Sequence, residues 1–387
     1  MAQKKISGRE RILSAMNLQR TDRIPLMCQF SLGFMMTQLK VNPVLFWYDE
    51  ETYANGLIDL CKKFKFDGIL VSLFGHSLHW DDVLKEKIEL SPDKYKLVFD
   101  DRYEIHSVYD LPVVSYVYEK TVKEIDDIDI DKDLPSNINY IPVSHNLYFK
   151  LDYKNLFHVF DYIRDKVGDE YSIHGEITSP FDYFLDFLGY ENALVGLIIN
   201  PIKSKAILQK YTDMIIDLTL KMCDHDIDAV KISSPFAGMG FISREFYEEF
   251  VVPYEKQIVE AIKSKCKHVY LHTCGAINDR LELMIKSGIS GLECLDPYPI
   301  GNVDLKDAFL RIGEKIFIKG NIDSVNTLLL GEDKKVENDI VNIINIGKKY
   351  GKGFILSTAC SIAPLVKRER ILLLSELIDK YGRYENI

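Results

Sequence analysis

The sequence predicts an α/β protein in which eight strands and eight helices alternate to form a closed (β/α)8 TIM barrel. Short apolar runs of β-type residues recur along the 387 residues, and amphipathic segments separate most of them. No glycine-rich GxGxxG segment follows any of these runs. That absence counts against the alternative, an open doubly wound sheet.

The first predicted strand covers residues 24–30, after a helical opening segment. The other seven are Gly68–Leu73, Tyr171–Ile177, Ala229–Ile232, Val269–Leu271, Gly291–Leu295, Lys315–Ile318 and Gly353–Ser357. Helices are predicted between them, for example over Arg244–Lys265, Ile277–Lys286 and Asp333–Lys349.

One interval, at about residues 74–165, interrupts this alternation between strands 2 and 3. It contains the alternating runs Tyr95–Phe99, Tyr103–Val108 and Val113–Tyr118, which turn residues separate, and a predicted helix near Tyr153–Val167. We therefore expect a single barrel domain over residues 1–387 with a β-hairpin insertion.

Composition excludes several classes of function. The formal net charge of −10 disfavours binding to nucleic acid, because phosphate requires a basic surface. No apolar stretch is long enough to span a bilayer, so we expect no membrane partner and a cytoplasmic protein. The seven cysteines are scattered and form no CxxC pair, which is not the pattern of a disulfide framework.

His272 and Cys274 are separated by one residue at the end of the fifth predicted strand, so their side chains point to the same side. Cys360 follows the eighth strand. In a barrel these strand ends face one mouth, and one imidazole with two thiolates suits zinc. The alternative is a core histidine beside an ordinary buried thiol.

A fourth zinc ligand is less defined. Glu293, at the end of the sixth strand, can hold the metal at rest and be displaced by substrate, or can simply bond a neighbour at the barrel mouth. Strand alternation points Cys294 the opposite way, so at most one of this pair is expected to be a ligand. Asp296 remains open, because it can lie in the loop.

Other strand ends supply a predicted pocket. Glu176 is a candidate acid, base or metal-associated carboxylate, with a salt-bridged mouth residue as its alternative. The candidate substrate-binding residues are Phe181, Tyr183, Ser234, Phe236, Met239 and Asn321, of which the aromatic residues can equally belong to the core.

Several segments resemble the uroporphyrinogen decarboxylase superfamily. They are Arg9–Arg11 through Asp22–Pro25, Lys319–Asp323, and Gly353–Ser357 before Cys360. The resemblance covers nearly the whole chain and implies a (β/α)8 barrel.

The superfamily contains two chemistries. Its decarboxylases carry an Arg-Gln-Ala-Gly-Arg segment after the first strand, whereas Cys28–Phe34 here contains no arginine to grip substrate carboxylates. Its cobamide-dependent methyltransferases bind zinc through an HxC pair and a distant cysteine, a pattern that falls on His272, Cys274 and Cys360. The resemblance therefore implies a zinc-containing methyltransferase.

The same resemblance implies a corrinoid supplied by a separate protein, because the chain has no DxHxxG sequence to ligate cobalt. The long insertion favours an O-demethylase that passes the methyl group of a methoxylated aromatic donor to that corrinoid. The alternative is a methylcobamide:thiol methyltransferase of the coenzyme M type, and a decarboxylase is disfavoured. A barrel with structural zinc or none, serving as a ligand-binding module, is the alternative outside catalysis.

Overall fold

The structure is a computed structural model that describes residues 6–118, 123–144, 146–265 and 267–384. Its strands are β1 Gly68–Val71, β2 Glu86–Ser91, β3 Lys94–Val98, β4 Arg102–Ser107, β5 Asp110–Tyr116, β6 Tyr140–Ser144, β7 Leu147–Lys150, β8 Ser172–Thr178, β9 Ala229–Ser233, β10 His268–Thr273, β11 Gly291–Cys294, β12 Phe317–Ile322 and β13 Phe354–Thr358.

Helices α1 to α6 are Gly8–Met16, Leu32–Leu39, Pro43–Tyr48, Glu50–Phe64, Ile130–Asp133 and His158–Val167. Helices α7 to α11 are Pro180–Leu188, Tyr190–Ile199, Pro201–Met222, Arg244–Phe250 and Val252–Ser264. Helices α12 to α15 are Leu281–Lys286, Leu305–Ile312, Asp333–Tyr350 and Arg368–Tyr381.

Seven parallel strands form one curled sheet in the order β1-β8-β9-β10-β11-β12-β13. The fold is TIM-barrel-like, as predicted. The first predicted strand, residues 24–30, makes only isolated bridges, from Leu26 to Leu356 of the last strand and from Phe30 to Ile362 beyond it. Pro25 has no N–H to donate, and the Leu26 N–H bonds the side chain of Asp67 at 2.8 Å instead of a strand carbonyl. The segment still lies between β1 and β13, because Asp67 N–H donates to Leu26 O and Met27 N–H to Leu356 O.

Burial explains why the barrel strands were recognisable as apolar runs. All residues of β1, β11, β12 and β13 are buried. A strand covered on both faces needs no polar alternation, so its sequence is mainly apolar, and the exceptions in β11 and β12 are the buried polar residues Glu293, Lys319 and Asn321.

The predicted long helix over Arg244–Lys265 is instead two helices, α10 and α11. The break falls at Val251, just before Pro253, which sits in the first turn of α11. Proline is tolerated in a first turn but not in a helix interior, since it lacks an amide proton.

The insertion is larger than the predicted hairpin. It contains a four-stranded antiparallel sheet, β2-β3-β4-β5, and a separate β6-β7 hairpin. β2 escaped prediction because five of its six residues are exposed, so the strand has no apolar face to signal it. The predicted helix near Tyr153–Val167 is α6, which begins later, at His158.

Among the residues described, none of the helices combines the length and the apolar character that a membrane crossing requires.

We expect Gly291→Ala at the start of β11 to destabilise the fold by about 1–3 kcal/mol through overpacking. A methyl group there would lie 2.3 Å from the ring of Phe317. Urea unfolding followed by circular dichroism measures the change. Gly240→Ala is the control, because no atom lies within 4 Å of the added methyl group. Equal unfolding midpoints for the two variants would contradict the packing argument.

A candidate metal centre at the barrel mouth

Three side chains from adjacent strand ends form a compact nitrogen–sulfur cluster. His272 is in β10, Cys274 follows it, and Cys294 ends β11. One candidate ligand atom from each lies within 4.8 Å of the other two. His272 Nε2 is 3.2 Å from Cys274 Sγ. The predicted HxC pair is therefore brought together on one side of its strand.

Cys360 lies two residues beyond β13, and its sulfur is 3.8 Å from that of Cys274. It contacts the cluster through Cys274 and is partly exposed, whereas Cys294 is fully buried. Cys274 therefore has two neighbouring thiols, Cys294 in the interior and Cys360 in a partly exposed loop.

Glu293, which the sequence suggested as a fourth zinc ligand, bonds the imidazole of His272. Its Oε2 accepts from Nδ1 of His272 at 2.9 Å, the ring nitrogen that does not face Cys274. Lys319 donates to its other oxygen, and Lys231 Nζ lies 3.0 Å from Oε2. Both lysines are fully buried. The carboxylate therefore orients the imidazole and balances two buried ammonium groups.

Cys294 reaches the cluster because the strand stops being extended at that residue. Its φ is +84°, and that of Leu295 is +55°. The alternation argument, which pointed Cys294 away, applies only to extended backbone. The Cys294 thiol also donates to Asp296 Oδ2 at 3.2 Å, and the same oxygen accepts from the Gly275 N–H at 2.7 Å. Asp296 therefore links the two loops and is not in the cluster.

The cluster perturbs its own ionisation. Hydrogen bonds from the Cys294 and Cys360 thiols, with the charge of His272, hold the pKa of Cys274 far below its usual range. Burial and Lys231 oppose charge on His272, but the Cys274 thiolate and Glu293 outweigh them and raise its pKa to about 9. Burial raises the pKa of Cys294. Both shifts favour a negative charge on Cys274 and a positive charge on His272.

These residues fit a zinc ion. The donor set combines one imidazole nitrogen with several sulfurs, which is the soft set that zinc prefers. The Glu293 contact to Nδ1 leaves Nε2 directed at the sulfurs. Carboxylate support of this kind is usual behind a metal-ligating histidine.

A cavity of about 540 Å³ lies against β9, the strand next to β10, and His272 and the three cysteines of the cluster are not among its lining residues. Its wall includes Glu176 of β8 and Ser233 of β9, the residue paired in register with His272. Glu176 Oε1 lies 3.1 Å from Lys231 Nζ, and its Oε2 accepts from the Ser72 hydroxyl. Glu176 is thus both a salt-bridged mouth residue and a cavity-facing carboxylate.

Of the predicted substrate-binding residues, Phe236 lines this cavity. Met239 is exposed on the loop after β9. The other four are buried and hold the scaffold together. Phe181 belongs to the core, and Tyr183 stacks on Tyr211 with ring centroids 5.3 Å apart.

The remaining two of these residues also have structural partners. The Ser234 hydroxyl donates to the hydroxyl of Ser179 at 3.1 Å. Asn321 Nδ2 donates to Leu295 O at 3.0 Å and so supports the loop after β11. Neither is among the residues that line the cavity.

Sequence reasoning missed Asp182 and Asp186, which line the cavity from α7. The available signal was their spacing of four residues, which puts two carboxylates on one helix face directly after a strand end. Ser179 caps this helix by accepting from the Asp182 N–H at 3.1 Å. Burial raises the pKa of Asp182 to about 7.

Glu255 of α11 is a second buried acid close to the site. One of its oxygens accepts from the Tyr247 hydroxyl at 3.1 Å, and the other has no partner among the described residues. Burial raises its pKa to about 8, and the charge of Asp182 contributes.

Comparison with known proteins gives these observations a context. The sequence model of uroporphyrinogen decarboxylase (URO-D) matches residues 135–381, which is more than half of the chain. A methylcobamide:CoM methyltransferase MtbA of Methanosarcina mazei is 23% identical over 373 residues, covering 96% of this chain and 98% of that protein. The MtbA of Methanosarcina acetivorans is 26% identical over 57% of this chain and 61% of its own length.

A uroporphyrinogen decarboxylase of Ruthia magnifica is 27% identical, with coverage of 48% of this chain and 51% of its own length. Among solved structures, a methyltransferase from Methanosarcina mazei superposes with a TM-score of 0.71 at 18% identity, covering 97% of this chain and 99% of that one. This likeness supports the barrel fold. The MtbA names favour the thiol-directed alternative over the aromatic-ether prediction.

The free energy of unfolding should fall as pH rises because of Glu255, and we expect Glu255→Gln to make this fall smaller. An acid with a raised pKa in the folded state binds its proton more tightly there than in the unfolded chain, where the pKa is about 4.3. The contribution of Glu255 to the free energy of unfolding is therefore fully present below the unfolded-state pKa and is lost as the pH rises to the folded-state pKa of about 8.

Urea unfolding at pH 5 and pH 8.5 measures this effect, with a limiting slope of about 1.4 kcal/mol per pH unit. The Gln variant should show the smaller fall in unfolding free energy. Parallel falls in the two proteins would show that Glu255 does not titrate in this window.

Proposed function

The chain belongs to the uroporphyrinogen decarboxylase family, and we propose that it is a zinc-dependent methyltransferase that moves a methyl group between a corrinoid and a small thiol. The corrinoid is supplied by a separate protein. The observation that carries this proposal is the soft nitrogen–sulfur cluster of His272 and Cys274 beside an open cavity. The relatives named for methyl transfer between methylcobamide and CoM, a thiol, support the same direction.

We assign His272, Cys274 and Cys360 as the zinc ligands, in line with the family resemblance. Zinc bound there would stabilise a substrate thiol as its thiolate, the form that attacks a methyl group. Cys294 is the competing third ligand, because it is the thiol within 4.8 Å of both His272 and Cys274. Its hydrogen bond to Asp296 favours a protonated Cys294, since a neighbouring carboxylate disfavours a second negative charge.

The chain's own residues prepare the reaction. Glu293 fixes the orientation of His272 and is not among the residues that line the cavity, so it acts as a positioning residue and not as the acid or base. Glu176 faces the cavity and is our candidate for accepting the proton that a thiol substrate releases. As the methyl group passes to sulfur, the carbon–cobalt bond breaks and its electron pair stays with the corrinoid.

We expect Cys360→Ser to lose most bound zinc and to reduce methyl transfer by at least ~100-fold, since oxygen is a poorer zinc ligand than thiolate. Cys294→Ser is the matched variant, because it also replaces a sulfur of the cluster by oxygen. It should retain about one zinc per chain. Metal analysis after dialysis and the loss of methylcobalamin absorbance with a thiol acceptor measure the two properties. Zinc loss in Cys294→Ser alone would make Cys294 the ligand.

A second assay distinguishes methyl transfer to a thiol from methyl transfer out of an aromatic ether. We expect zinc-loaded protein to demethylate methylcobalamin in the presence of a small thiol, with the thioether identified by mass spectrometry. The comparison reaction supplies a Co(I) corrinoid protein and a methoxylated aromatic, and methylcobalt formation is followed by absorbance. Activity in the comparison reaction alone would restore the O-demethylase hypothesis and overturn the thiol-directed one.

A further inference from the structure

The cavity beside the cluster has an acidic wall. Glu176, Asp182 and Asp186 all line it, and among the lining residues that the structure describes none is a lysine or an arginine. The wall residue Ser233 is paired in register with His272, so a thiol whose sulfur is held at the cluster can extend its other end toward this wall. The charge of the wall therefore bears directly on the chemistry of the substrate.

The three carboxylates differ in how far their charge is already balanced. Glu176 pairs with the buried ammonium of Lys231 at 3.1 Å. Asp186 accepts from the hydroxyl of Tyr140 at 2.8 Å. The Ser179 hydroxyl donates to Asp182 Oδ2, and the Asp182 N–H donates to the oxygen of that hydroxyl. Among the described ion pairs, no cation pairs with the Asp182 carboxylate.

Asp182 is also built to receive a partner. Its side chain is only 6% exposed, and its buried Oδ1 has no hydrogen-bond partner among the residues described. A buried carboxylate oxygen without a donor is costly unless a ligand supplies one. Asp182 lines the cavity, so an ammonium group bound there can supply the opposite charge.

Aromatic rings complete the same wall. Tyr190 and Phe236 both line the cavity, with ring centroids 5.0 Å apart in an edge-to-face arrangement. Ring faces attract ammonium groups, and the attraction grows as water is excluded. A carboxylate combined with aromatic rings is a recognition surface for an organic cation.

We propose that this cavity binds the ammonium end of an aminothiol, so that the substrate is cationic at the end opposite its sulfur. This inference rests on the methyl transfer proposed above. A sulfonate or carboxylate thiol such as CoM meets like charge at Asp182 and Asp186 and finds no lysine or arginine among the described lining residues. The chain thereby departs in substrate from the relatives named for CoM.

The test uses three thiols that share a two-carbon chain and differ in the terminal group: cysteamine, 2-mercaptoethanol and 2-mercaptoethanesulfonate. Zinc-loaded protein is assayed with methylcobalamin, and kcat/KM is measured for each thiol. We expect cysteamine to exceed the sulfonate by at least ~10-fold, the equivalent of one ordinary charge interaction. Preference for the sulfonate would overturn the inference.

Intrinsic thiol reactivity also differs among the three, and a variant separates that difference from recognition. Asp182→Asn is isosteric and, above the pKa of about 7 of Asp182, removes one charge, so in an assay above that pH it should lower kcat/KM for cysteamine several-fold and leave 2-mercaptoethanol nearly unchanged. Asp304→Asn is the matched control, because Asp304 is an exposed helix cap outside the cavity and asparagine also caps helices. Should Asp182→Asn fail to fold, Asp186→Asn makes the same comparison.

Equilibrium binding gives a readout that does not depend on methyl transfer. Calorimetric titration of the zinc-loaded protein with 2-(methylthio)ethylamine should show binding that Asp182→Asn weakens, and the corresponding sulfonate should bind less tightly. Binding of the amine with no methyl transfer to any thiol would reject the proposed function and keep the ammonium site. Methyl transfer with no preference for the amine, unaffected by Asp182→Asn, would reject the ammonium site and keep the function.

Discussion

Two lysines without solvent exposure, Lys231 and Lys319, dictate how the barrel interior is arranged. An unpaired ammonium group in such a place costs several kcal/mol, so each must meet a carboxylate. Glu293 bonds both, and Lys231 also reaches Glu176. These four residues come from β8, β9, β11 and β12, which makes the ion network a link between four strands of one sheet. These ion pairs form only in the observed strand register, and a shift in register would leave buried charges unpaired.

This network has one consequence on each side. Toward the cluster, Glu293 holds Nδ1 of His272 and leaves the other nitrogen directed at sulfur. Toward the cavity, Lys231 balances Glu176, whereas Asp182 has no cation among the described ion pairs. The same ion network therefore contacts both the candidate metal site and the acidic wall. Replacing either lysine would disturb both, even though neither lines the cavity.

The sequence was informative where structure follows from local rules. Buried parallel strands appear as apolar runs, and the HxC spacing correctly placed His272 and Cys274 on one side of a strand. Two kinds of feature escaped. The alternation rule failed at Cys294, because a left-handed backbone dihedral follows from the surrounding loop and not from residue type. The partners of Lys231 and Lys319 depend on strand register, which no local pattern in a single chain contains.

The β6 strand of the insertion has a consequence beyond shape. Residues 141–144 form part of the cavity wall, and Tyr140 holds Asp186 in position from the same strand. The cluster, by contrast, is built entirely from ends of barrel strands. One part of the cavity wall is therefore encoded apart from the reacting centre, whereas the acidic residues Glu176, Asp182 and Asp186 belong to the barrel itself. Exchanging the inserted segment can change which molecule enters while the reacting centre is inherited intact, an arrangement that lets one barrel diversify its substrates in small evolutionary steps.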